Sequence, residues 1–194
     1  MMDSENSSND SLLRHDLQQT FERNPINPKD LTSFQRILLT TDGMVTEILE
    51  AFFWEKMKVI KLYQDNFATD HDIPYLELEK GSNIMHRKIF LRGQLSQRNH
   101  LYGETIIVPD RLDERIKDGL LNSNKPIGFL IFENRLETFR EILDSGKEKA
   151  NDLAADFNIE KDDFLIFRTY RILAKGLPIM LITEKFLEKG METE

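Results

Sequence analysis

None of the 194 residues is a cysteine. That excludes a disulfide framework, a thiol nucleophile and a zinc site built on thiolates. Glycine is sparse, at nine residues, and no glycine-rich phosphate loop or nucleophile elbow occurs. No apolar run approaches the length needed to span a bilayer. Positive charge is in deficit: 26 Lys and Arg face 34 Asp and Glu, for a formal net charge of -8. With no basic stripe, nucleic acid is not an expected partner, and the acidic balance disfavours an anionic membrane. Histidine is rare, and His15, His71, His86 and His100 lack metal-ligand spacing, so no metal site is expected. Asp65, Asp70, His71 and Asp72 read as a solvated charge run in a loop rather than a calcium site.

What remains is ordinary globular material, 40% hydrophobic and 31% charged, enough for one domain without staples. Residues 1–10 are polar and rich in Ser and Asn. They read as a disordered tail without a signal core, which leads us to expect a non-exported, cytoplasmic protein. Residues 11–190 read as a single domain. A weak helical pattern over Leu12 to Phe21 is broken by Asn24-Pro-Ile-Asn-Pro, and apolar residues at helical spacing follow from Leu31 to Leu39. Asp42 is the expected N-cap of a helix from Met44 to about Phe53. Alternation predicts strands over Lys56–Tyr63, Asn83–Arg92 and Asn99–Val108, the last two joined as a hairpin. Asp110 is the expected cap of a helix through about Leu121. Another helix is predicted from Pro126 or Gly128 through Phe139, Ile142 and Leu143, ended by Gly146, with a short one over Lys149–Phe157. Strands over Phe164–Leu173 and Pro178–Leu187 close the chain around a turn at Lys175-Gly176. Hairpins dominate, so the expected class is α+β, a single antiparallel sheet with flanking helices. Nothing in the pattern sets an oligomeric state.

Four features carry candidate chemistry. Thr41-Asp-Gly-Met-Val-Thr opens a predicted helix, whose free N–H groups suit an anion; the plain alternative is an ordinary cap. Arg87 shares a strand face with Met85, Ile89 and Leu91, where an arginine needs a partner, and its planar fork suits a carboxylate. The alternative is a snorkelling or ion-paired edge residue. Glu184 shares a face with Met180, Ile182 and Phe186, where a partly desolvated carboxylate can serve as acid, base or hydrogen-bonding group. The alternative is a structural partner of Arg168 or Arg171. Finally, Lys125-Pro-Ile-Gly-Phe-Leu-Ile-Phe is a loop entering a helix, with Gly128 allowing a close backbone approach.

Taken in order, Leu38-Leu-Thr-Thr-Asp-Gly-Met, Met85-His-Arg-Lys-Ile-Phe-Leu, Pro126-Ile-Gly-Phe-Leu-Ile-Phe and Gly176-Leu-Pro-Ile-Met-Leu-Ile-Thr-Glu-Lys-Phe-Leu resemble the chorismate pyruvate-lyase family, in its archaeal and actinobacterial branch. The resemblance implies flaps closing over a buried ligand site. It implies release of pyruvate from chorismate to leave 4-hydroxybenzoate, with chorismate as the small-molecule partner and no cofactor. It places the carboxylate-binding arginine on Arg87 and the backbone amide sharing that carboxylate on Met44. A backbone contact to the ring hydroxyl falls on Ile131, or Leu130 if the register slips by one. The glutamate at the hydroxyl end falls on Glu184. Arg87 and Glu184 are thus the implied catalytic residues.

The chain departs from that family in one place. Bacterial members carry an arginine in an Arg-Thr-Val-Val-Pro segment of the third strand, and this chain has Glu104-Thr-Ile-Ile-Val-Pro. Chorismate is a dianion, so its second carboxylate is left to Arg92, Arg168 or Arg171, or Glu104 is itself catalytic, or the substrate differs. A second reading is a non-catalytic effector-binding module of the UTRA type found in bacterial repressors, to which Arg168-Thr-Tyr-Arg, the Gly-Leu-Pro turn and Thr183-Glu-Lys-Phe are loosely similar.

Overall fold

Six strands pair into one antiparallel sheet in the computed structural model, which describes residues 26–190. The strands are β1 (Met57–Ala68), β2 (Asn83–Gly93), β3 (Asn99–Ile107), β4 (Phe139–Lys149), β5 (Phe164–Ala174) and β6 (Leu177–Leu187). Their spatial order is β1-β2-β3-β6-β5-β4. Two sets of hairpin-linked strands therefore meet along the β3–β6 seam, and the α+β class follows. The expected tail over residues 1–10 and the helix over Leu12–Phe21 lie outside the described residues.

The helices are α1 (Ser33–Thr40), α2 (Val45–Phe53), α3 (Glu114–Asn122), α4 (Ile127–Glu133) and α5 (Ala154–Phe157). Thr32 and Gln35 start α1 with a reciprocal capping box, which satisfies two otherwise orphaned donors. α1 and α2 bury Leu38, Leu39 and Leu49 against Met57, Val59, Leu91, Leu101 and Phe186. α3 and α4 bury Ile116, Leu120 and Leu130 against Met85, Ile107, Ile172 and Met180. The two helix pairs cover the same face of the sheet from either end and leave a seam between them. On the other face, α5 packs Ala154 and Phe157 against Phe90, Tyr102 and Leu165.

Several expected boundaries shift. Phe139–Lys149 is strand β4, not the end of a helix. Asn134 ends α4, and Arg135 turns the chain away with φ 51°. Phe139, Ile142 and Leu143 fall at helical spacing by coincidence. As an edge strand, β4 is half-buried along most of its length, so it lacks the alternation that marks a strand with one buried face. For the same reason the predicted helix over Lys149–Phe157 shrinks to a 3-10 turn at Asn151–Leu153 followed by α5. The cap of α3 is Asp113, accepting from Arg115 N, while Asp110 sits in a 3-10 turn. Strand β1 runs on past Tyr63, through a bulge at Lys61/Tyr63, and takes in Asp65.

One corner fixes the end of α2 to the β2–β3 turn. Trp54 ends the helix in the left-handed region. The Glu55 carboxylate then accepts from Leu95 N at 2.8 Å, Ser96 N at 3.0 Å and Ser96 Oγ at 2.6 Å. His100 stacks on Phe53 at 3.9 Å, with Nε2 3.4 Å from Glu55 Oε1. Burial pushes the His100 imidazole below its ordinary value and outweighs the pull of Glu55. A base depressed in the fold is neutral there, so stability is full above its unfolded value of 6.5 and is lost as pH falls below it. The thermal midpoint is expected to fall between about pH 7 and pH 5. His100→Gln should flatten that slope; a slope unchanged by the substitution would remove His100 as its source.

Candidate ligand cavity

Antiparallel neighbours that pair directly present their side chains on the same face. Arg87 pairs with Thr105, Thr105 with Ile182, and Ile182 with Tyr170. One row along, Ile89 pairs with Gly103, Gly103 with Glu184, and Glu184 with Arg168. Both rows face the helix-covered side. Their strand spacings place the Arg87 and Glu184 backbones roughly 12 Å apart. Over these rows, in the seam between the helix pairs, lies a mostly apolar cavity. Its floor includes Arg87, Ile89, Gly103, Thr105, Ile182 and Glu184, and its roof is formed by Gly43–Thr46 and Pro126–Gly128. Gly103 leaves the floor open: a Cβ there would meet Ile89 Cγ1 at 3.2 Å.

Arg87 occupies one end. It is 1% exposed. Among the described residues its only hydrogen bond is a long one, from Nη2 to the Lys125 carbonyl at 3.4 Å, and Nε and Nη1 have no partner there. Burial pushes the guanidinium below its ordinary value. Lys61, on the neighbouring strand, is pushed down by burial and by the Arg87 charge. A buried group of this kind costs several kcal/mol unless something accepts from it.

Above the floor stands the start of α2. Its N-cap is Met44, and no side chain caps it; the expected cap, Asp42, is displaced from that role. The loop before it is held from the sheet. Arg168 Nη1 donates to Thr41 O at 2.5 Å, and Arg140 Nη1 donates to Gly43 O at 2.8 Å and to Asp42 O. The first turn of α2 thus faces the cavity with backbone donors that no side chain occupies.

Glu184 occupies the other end. It accepts from Arg168 Nε at 2.7 Å and from the Tyr170 hydroxyl at 3.0 Å. Burial raises the Tyr170 phenol, and Glu184 raises it further, so it stays a donor. Burial opposes the charge on Arg168, but Glu184 and Tyr170 outweigh it. Glu184 therefore both lines the cavity and pairs with Arg168.

Arg87, Met44 and Glu184 meet in one cavity. Ile131 does not line it. It packs in the α3–α4 core and borders a shallower outer groove, and its carbonyl accepts from Leu136 N at 3.0 Å. Ile127 and Gly128 take its place in the roof. Glu104 lies on the opposite face, against His86 Nε2 at 2.7 Å and Lys88 Nζ at 3.3 Å. Arg171 is also on that face, paired with Glu141 at 2.6 Å, and Arg92 is engaged with Asn99 at 2.8 Å. The residue that sequence reasoning missed is Arg140, on β4, which lines the cavity. Its segment was read as helix; the signal that could have found it is the break at Asn134-Arg135, which separates it from α4.

If Arg87 is retained for a ligand, its removal should strengthen the empty protein. Arg87→Met is expected to raise unfolding stability by about 1–4 kcal/mol while abolishing the stabilisation conferred by an aromatic carboxylate. Glu184→Ala should do the reverse, costing about 3–5 kcal/mol by leaving Arg168 buried and unpaired. Urea denaturation with and without ligand reads both; destabilisation by Arg87→Met would mean that Arg87 is a structural residue.

Residues 39–192 match the profile of the family described as Chorismate pyruvate-lyase Rv2949c-like. A chorismate pyruvate-lyase of Mycobacterium leprae is 33% identical over 78% of this chain and 73% of its own length. A putative lyase of Methanocaldococcus jannaschii, MJ0807, is 31% identical over 82% and 81%. Among solved structures, the effector domain of PhnF from Mycobacterium smegmatis superposes with a TM-score of 0.58 at 12% identity, over 75% of this chain and 88% of that one, which shows a shared fold. With 154 consecutive residues inside the family profile, this chain belongs to the Rv2949c-like chorismate pyruvate-lyase family.

Proposed function

We propose that the protein is a chorismate lyase, cleaving chorismate to 4-hydroxybenzoate and pyruvate. The observation that carries this reading is the buried Arg87 guanidinium with two unpartnered nitrogens at one end of an apolar cavity, facing Glu184 at the other. Family membership supports the same reaction, as do relatives named as lyases.

A ring carboxylate would accept from Arg87 and from the free N–H groups at the start of α2. A hydrogen bond to a charged group contributes about 1.5–3 kcal/mol, enough in combination to hold an anion in an acidic protein. Ile89, Ile182 and Gly103 would lie along the ring. Glu184, fixed by Arg168 and Tyr170, would accept from the ring hydroxyl at the far end. The reaction then needs orientation more than chemistry from the protein. The C–O bond to the enolpyruvyl group breaks and its electron pair leaves with the ether oxygen. The proton on the neighbouring hydroxyl-bearing carbon departs, and its bonding pair completes the aromatic ring. The departing enolpyruvate takes up a proton on its methylene carbon and becomes pyruvate. Fixed positive groups near the ether oxygen favour the charge that develops there.

Purified protein mixed with chorismate should release 4-hydroxybenzoate and pyruvate in equal amounts. Arg87→Ala and Glu184→Gln should each lower kcat/KM by orders of magnitude. Folded protein giving no product above spontaneous background would remove the lyase reading and favour a ligand-binding role for the same cavity.

A further inference from the structure

The charges around the cavity do not balance. Glu184 is matched by Arg168. Arg87 and Arg140 remain, and among the described residues neither has a carboxylate within ion-pair distance. Arg140 projects from β4, where it pairs with Ile172, and its guanidinium lies 5.9 Å from the Tyr170 ring centroid. Its partners, the carbonyls of Asp42 and Gly43, orient it without neutralising it, and its Nε is buried with no acceptor. Nη2 lies 3.9 Å from the space above Gly128, where any larger residue would place a Cβ. Arg140 also borders the outer groove, with Gly43, Met44 and Gly128. It therefore stands at the mouth of the cavity, to the side of the line from Arg87 to Glu184.

We infer that Arg140 is a second anion site, which receives a side-arm carboxylate while Arg87 receives the ring carboxylate. The inference rests on the lyase reading and deepens it: two guanidinium charges without counter-ions suit a dianionic substrate, a ring acid bearing a carboxylated ether arm. Chorismate has this charge pattern. Its aromatic product keeps only the ring carboxylate, so Arg140 distinguishes substrate from product.

The test compares two unreactive ligands, 4-hydroxybenzoate and 3-(1-carboxyvinyloxy)benzoate, an aromatic ether that keeps both carboxylates and cannot eliminate. Calorimetric affinities are measured on the full chain as wild type, Arg140→Gln, Arg140→Lys and Arg87→Gln, alongside KM and kcat for chorismate. Arg140→Gln should weaken the dianion roughly ten- to hundredfold more than it weakens 4-hydroxybenzoate, and raise KM more than it lowers kcat. Arg140→Lys should recover part of the loss, and Arg87→Gln should weaken both ligands. Equal weakening of both ligands by Arg140→Gln would show that Arg140 only supports the Met44 loop, and unchanged dianion affinity would show no contact; either overturns the inference. Preferential loss of the dianion in a protein that does not turn over chorismate would keep the Arg140 site and sink the lyase reading alone. Failure of wild type to bind either ligand would overturn both.

Discussion

A full positive charge at Arg87, held among Ile89, Leu91 and Leu101 with only one long hydrogen bond, is the constraint around which the rest is arranged. A chain folding for stability alone would place an apolar residue there. The surroundings are consistent with a charge kept for use. The helix pairs stop short of one another above it, Gly103 withholds a side chain beside it, and the start of α2 is aimed at the same space without a cap of its own. The cost is offset by two hydrophobic clusters, one beneath each helix pair.

Arginines also set the geometry of the roof. Arg168 and Arg140 reach from neighbouring strands to three successive carbonyls, those of Thr41, Asp42 and Gly43, and so hold the turn into α2. Arg168 binds Glu184 with its other edge. The Glu184 end of the cavity and the backbone that roofs it at Thr41–Met44 are therefore tied through one side chain. A disturbance at either should be felt at the other, which makes the Arg168–Glu184 pair a registering element as well as a charge pair.

Much of this was legible in the sequence because it rests on period-two patterning. Arg87 and Glu184 could be put on buried faces by counting from Ile89, Leu91, Ile182 and Phe186, and both strands are central enough for that alternation to be clean. β4 was not legible, since an edge strand half-buried along most of its length carries no alternation, and Phe139, Ile142 and Leu143 mimic a helix. Arg140 was lost with it. The displaced cap at Asp42 has a different cause: α2 begins at Val45, so Met44 holds the N-cap position and Asp42 lies two residues before it, in a turn whose carbonyls are held by an arginine 98 residues away, which no local rule can see. Ile131 was placed by resemblance alone, and one turn of helix separates it from the residues that do roof the cavity.

The central claim is that Arg87 and the start of α2 together receive a ring carboxylate while Glu184 receives the opposite hydroxyl. A crystal structure of the protein with 4-hydroxybenzoate tests it directly. The account expects the carboxylate within about 2.7–2.9 Å of Arg87 nitrogens, a second hydrogen bond from the Met44 backbone, and the phenol oxygen on Glu184. A ring bound in the reverse direction, or a carboxylate held elsewhere while Arg87 stays unpartnered, would contradict it.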